Sequence, residues 1–176
     1  MTAREFVSSI RANQPERSNL EHRLNTETLH GILSDAQISD SASIYEDHGN
    51  EILNLLHNFD LSRLNIYDIT FDHDLEVYQD YLFFGWDTIG DRLGYHIPSG
   101  EVVSYYLHGD CINYKCAKDD RQFLQLFFEL YLLLKGRLET EDQKTKEKIE
   151  QQFWLNTTSA TSESYWEHYQ RFLSFS

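Results

Sequence analysis

Residues 81–108, YLFFGWDTIGDRLGYHIPSGEVVSYYLH, constrain the fold of this 176-residue chain more than any other stretch. Tyr81-Leu82-Phe83-Phe84 is a short aromatic and aliphatic run, the composition of a strand buried on both faces. Gly85 and Gly90 punctuate the segment after it. Arg92 to Ile97 then alternates, with Leu93, Tyr95 and Ile97 on one face. Pro98-Ser99-Gly100 couples a fixed φ to a residue free to take φ > 0, which is hairpin chemistry. Glu101 to His108 returns as a partner strand rich in β-branched and aromatic residues. Three strands in sequence predict an antiparallel meander, with the rest of the chain laid on or beside it as helices.

Length and charge narrow the class. A chain of this length is expected to be one domain with a real core, and 40% hydrophobic with 14% aromatic residues argues for a folded one. No run approaches the ~20 apolar residues that span a bilayer, and Met1-Thr2-Ala3-Arg4-Glu5 lacks the apolar core of a signal peptide. The expected location is cytoplasmic, with no membrane association. The net charge of −14 is unevenly spread: residues 35–91 hold thirteen acids and one base, Arg63. Such a field repels nucleic acid and draws in basic partners, or else simply keeps the protein in solution.

Flanking elements are set by caps and periodicity. Thr2 with Glu5 forms a capping box, and Phe6, Val7 and Ile10 share one helical face before Pro15. Residues 15–30 predict a second, weakly apolar helix, and Ser34 to Asn50 reads as a loop. A helix is expected at about 49–58. From Ile66 the period changes to two, with Tyr67, Ile69 and Phe71 on one strand face and a turn at Asp72-His73-Asp74. Asp119 or Asp120 caps a strongly apolar helix that is expected to end at Gly136. Two more helices are predicted, Thr140–Trp154 capped by Thr140 and Ser164–Phe175 capped by Ser164. The fold class is therefore α+β, a single domain over residues 1–176. An antiparallel or mixed sheet of four to six strands lies in mid-chain, with helices at both termini. The expected core runs from about 44 to 136, with helical segments at 1–30 and 137–176.

The central residues also resemble a known family. Phe84-Gly85, four residues, Gly90-Asp91, a strand, a Gly100-centred turn and Glu101-Val102-Val103 look like the central signature of the SUKH superfamily. Asp119-Asp120-Arg121-Gln122-Phe123-Leu124 matches the acidic, then Phe-Leu, opening of the next helix in that group. The likeness spans roughly residues 81–130. A Leu-Pro step usual before an early helix of the family is missing. The resemblance implies a compact α+β binding domain, either an immunity protein that neutralises a toxin or a regulator of the fungal cell-wall type.

Catalytic and metal chemistry find little support in the residues. There is no Gly-x-Ser-x-Gly elbow, no phosphate-binding glycine loop and no His-Glu-x-x-His. His108, Cys111 and Cys116 supply two thiols and no Cys-x2-Cys hook, so reduced cysteines are expected rather than zinc. Asp72-His73-Asp74 lacks the oxygen ligands of a calcium loop. A carboxylate pair among Asp80, Asp87 and Asp91 is the one hydrolytic arrangement to weigh, and Asp91 is better read as holding its turn. Asn156-Thr157-Thr158 is a glycosylation sequon by chance, and Gly94 marks a bulge or a close contact.

No enzyme activity, cofactor or metal is therefore expected. With the SUKH resemblance, which implies an immunity protein, the expected function is a protein-binding module whose acidic surface competes for the basic cleft of a toxin domain such as a nuclease. Asp68, Asp72, Asp74, Glu76, Asp80 and Asp87 are the expected charges, with Tyr78 and Trp86 as aromatic anchors. The alternative is an intracellular regulatory scaffold without inhibitory action, docking through residues 137–176.

Overall fold

The structure, a computed structural model, describes residues 1–34, 37–41 and 44–175. The chain opens with α1 (Ala3–Ala12), where the Thr2 hydroxyl accepts from the Glu5 amide and the Glu5 carboxylate accepts from the Thr2 amide. Ala3, Phe6, Val7 and Ile10 are buried along one face. Burying the phenylalanine, valine and isoleucine side chains contributes about 1.5–3 kcal/mol each. The second predicted helix is broken in two, α2 (Arg17–Leu20) and α3 (Thr26–Ser34). The predicted loop contains a two-residue strand, β1 (Ser39–Asp40), and its residues 35, 36, 42 and 43 lie outside the described residues. Helix α4 (Glu51–Asn58) is capped by the Asn50 side chain, and β2 (Phe59–Asp60) pairs antiparallel with β1.

The meander is present and larger than three strands. Its five strands are β3 (Thr70–Tyr78), β4 (Tyr81–Trp86), β5 (Arg92–His96), β6 (Val102–Tyr106) and β7 (Cys111–Ala117). They pair antiparallel in chain order, so β3 and β7 are the edges. Two local expectations are corrected here. Residues 66–69 form a tight turn, in which the Ile69 amide donates to the Ile66 carbonyl and Tyr67 and Asp68 take φ of 53° and 60°. Both isoleucines are then buried, which the alternation had placed on opposite faces. Asp72-His73-Asp74 is no turn but an irregular part of β3, and the reversal comes at Gln79-Asp80.

Helix α5 (Asp120–Glu139) lies against one face of the sheet. Phe123, Leu124 and Phe127 pack there with Phe84, Leu93, Val102 and Cys116 of the strands. Asp119 caps it, its carboxylate accepting from the Gln122 amide. The helix runs through Gly136 rather than ending there. A Cβ at Gly136 would lie 2.9 Å from Ile149 of α6 (Gln143–Ala160), so glycine lets the two helices approach. Asp142, not Thr140, caps α6, and α7 (Trp166–Gln170) starts without a side-chain cap. Phe6 and Ile10 of the N-terminal segment and Phe153, Tyr169 and Phe172 of the C-terminal one belong to the same hydrophobic cluster. Tyr169 and Phe172 are therefore packing residues rather than docking residues. No helix among the described residues is long and apolar enough to cross a membrane.

Candidate functional site

The second sheet face carries its own small cluster, to which no helix contributes among the described residues. Phe83, Val103 and Tyr105 are buried there, with Tyr78 and Tyr81 packed at the rim. Gly94 makes room on this face, since a Cβ would meet the Phe83 ring at 2.8 Å. Arg92, at the start of β5, lies over this surface. Its guanidinium carbon stands 4.3 Å from the Trp86 ring centroid and 5.4 Å from that of Phe83. The residue is only 5% exposed and is neutralised by Asp72, whose Oδ2 accepts from its Nη1 at 2.7 Å. Glu76 Oε2 stands 3.8 Å from the other terminal nitrogen. Stacking on an indole and pairing with a carboxylate suits the planar, always charged guanidinium.

Further along the same face, three side chains share one carboxylate. The hydroxyls of Tyr78 and Tyr105 donate to Asp110 Oδ1 at 3.0 and 2.8 Å, and the Gln79 amide adds a third contact at 3.2 Å. The phenol hydrogen bonds hold the Asp110 carboxyl below its ordinary range, Tyr105 first. Burial, then the hydrogen bond to Asp110, pushes Tyr105 up to about 12. Asp110 takes a left-handed conformation, φ 50°, that aims it back under the sheet rim.

The eight residues expected to contact a partner are thus distributed in three ways. Asp72, Glu76 and Trp86 meet around Arg92, and Tyr78 joins the Asp110 group on the same face. Asp74 and Asp80 are exposed and without an ion-pair partner among the described residues, and Asp68 sits at the exposed tip of the 66–69 turn. Asp87 contradicts its expected role: it is 3% exposed and paired with Arg171 of the C-terminal segment, so it cannot meet a partner. Arg92 and Asp110 escaped the sequence reading. The one signal for Arg92 was its place directly after a long acidic segment holding only Arg63. Nothing local marked Asp110.

Among the described residues no group of three or more His, Cys, Asp or Glu side chains is placed to hold a metal ion. Cys111 is exposed and Cys116 buried. Cys116 Sγ does lie 3.4 Å from His168 Nδ1. Burial pushes the thiol well up, and burial with the Arg171 charge pushes the imidazole well down, so the site favours the neutral form of both. Asp91 accepts from Asn113 of β7 at 2.7 Å and Ser104 of β6 at 3.4 Å, a structural role that ties its turn to the neighbouring strands.

A cleft of about 680 Å³ lies between the 66–69 turn, the β4–β5 turn and the C-terminal helices, lined by Tyr67, Ile89, Arg137, Leu138 and Phe175 among others. The Arg137 guanidinium inside it is already committed to Tyr67, Glu150 and the carbonyls of Phe172, Leu173 and Phe175. It serves to tie the C-terminal segment to α5. Comparison of the chain with family models, curated proteins and solved structures finds no significant match.

Proposed function

We propose that this chain is a non-enzymatic protein-binding module that engages a basic protein through the acidic rim of its open sheet face. The observation that carries the reading is the β3–β4 hairpin. Asp74, Glu76 and Asp80 stand exposed along it, and the Trp86 ring at the end of β4 is itself 40% exposed. Exposed carboxylates steer a cationic surface inward, and a half-exposed indole on the same hairpin supplies apolar contact area. In keeping with the resemblance of residues 81–130 to the immunity members of the SUKH superfamily, the partner is proposed to be a toxin domain. A nuclease, with its basic phosphate-binding cleft, is the best match to this potential.

The test is kinetic and needs an identified partner, obtained by capture from the native cell at low and high salt. The triple variant Asp74→Asn, Glu76→Gln, Asp80→Asn is expected to associate about tenfold more slowly and with a flatter salt dependence. Its thermal stability should match the parent, because none of the three holds an interior group in place. An unchanged rate and salt dependence would remove the electrostatic basis of the proposal.

A further inference from the structure

Resting on that reading, we propose that the outer edge of β3 accepts an added strand from the partner, an extended segment in which cationic and apolar residues alternate. β3 closes the sheet on one side and pairs only with β4. The two-residue turn between Tyr78 and Tyr81 makes those residues a hydrogen-bonded pair, so Glu76 also bonds inward to Phe83. Val77, between them, turns its N–H and C=O to the outside. Among the described residues no backbone hydrogen bond joins 74–78 to any element other than β4. The Val77 side chain is 66% exposed as well.

An edge left in this state invites pairing, and proteins normally cover or blunt it. Here the protection is selective. Asp72 and Glu76 face the single guanidinium of Arg92 on the open face, two carboxylates to one cation, so that face of β3 keeps a net negative charge. A second copy of β3 would set carboxylate opposite carboxylate, which is destabilising. A new strand about 4.8 Å away would instead place every second side chain beside these acids. Lysine or arginine fits there. The intervening positions fall on the side of Val77, where an apolar residue fits.

The probe is a capped synthetic peptide of alternating lysine and valine. It should bind the full chain and weaken as salt is raised. Val77→Pro removes the outward amide without touching the bonds to β4, and should cost at least about tenfold in affinity, one edge hydrogen bond being worth about that much. Val77→Ala should bind like the parent. Should Val77→Pro fail to fold, the same loss is read on the unaltered protein with a peptide N-methylated at alternate amides. Strand addition is overturned if Val77→Pro and the N-methylated peptide both bind undiminished, or if the parent peptide does not bind. Loss on Asp74→Asn with Glu76→Gln but none on Val77→Pro would retain the acidic surface and remove the added strand. If neither charge nor edge changes matter, both readings go.

Discussion

Asp87 and Arg171, separated by 84 positions, form an ion pair in which the carboxylate side chain is wholly buried. The contact pins the β4–β5 turn to the C-terminal segment. It also takes away a residue whose charge pattern pointed to a partner. Asp87 Oδ2 and Arg171 Nη1 have no hydrogen-bond partner, so the pair is compensated only in part.

Arg171→Leu should therefore destabilise the fold by about 3–5 kcal/mol, because it strands a buried carboxylate. Adding Asp87→Asn removes that charge while keeping an acceptor for the Thr88 amide. The double variant should recover at least half of the loss. A double-mutant cycle by urea unfolding reads this, and additive single effects would show that the two residues are not coupled.

Next to this pair, His168 sets a lower limit on the pH range of the fold. Its imidazole is buried among Cys116, Arg171, Tyr114 and Tyr169, and its pKa lies well below the ordinary 6.5. The unfolded chain takes up a proton below that value while the folded one resists. Stability should fall from about pH 6.5 downward, by about 1.4 kcal/mol per unit for this group. His168→Leu should show a shallower slope between about pH 6.5 and 5 in unfolding titrations, other groups titrating alike. Equal slopes would mean that the ring is already charged in the folded state.

Two glycines should respond in opposite directions to alanine. Gly31 lies in α3 with nothing within 4 Å of the added methyl, so Gly31→Ala should stabilise by about 0.5–1 kcal/mol through helix propensity. Gly85 lies in β4, where a Cβ would collide with the Thr70 carbonyl oxygen. Gly85→Ala should cost about 1–3 kcal/mol, since backbone cannot step aside as a side chain can. Chemical denaturation of both variants compares them directly.

The contrast between these glycines shows what the sequence could and could not convey. The meander was legible because its strands alternate and its turns contain Gly90 and Pro98-Ser99-Gly100. The caps at Thr2 and Asp119 were legible because each acts within three residues. The 66–69 turn was not, because Tyr67 and Asp68 adopt positive φ without glycine, and Ile-Tyr-Asp-Ile alternates like a strand. Gly136 resembles a helix end, and only the approach of Ile149 explains why the helix continues. Strand β7, with Asn113 and Lys115 on an exposed edge, lacks the apolar rhythm of its neighbours. For the site, the acids of β3 and of the β4–β5 turn were visible as composition. Their division into paired Asp72, exposed Asp74 and buried Asp87 depends on Arg92 and Arg171, and tertiary contact alone brings those together.

That division separates stability from association within one strand. Asp72 holds the nearly buried Arg92, so Asp72→Asn should lower stability by about 1–3 kcal/mol as the arginine loses its closest anion. Glu76, 3.8 Å from Arg92 and 63% exposed at its side chain, contributes little of that hold. Glu76→Gln should leave the unfolding midpoint within the scatter of surface substitutions while slowing association with a basic partner. Trp86 fluorescence can follow both experiments, because Arg92 stacks on that ring and a loosened guanidinium changes its surroundings. Equal stability losses for the two variants would mean that both carboxylates hold Arg92 alike, and Glu76 would then be a structural group rather than a free charge.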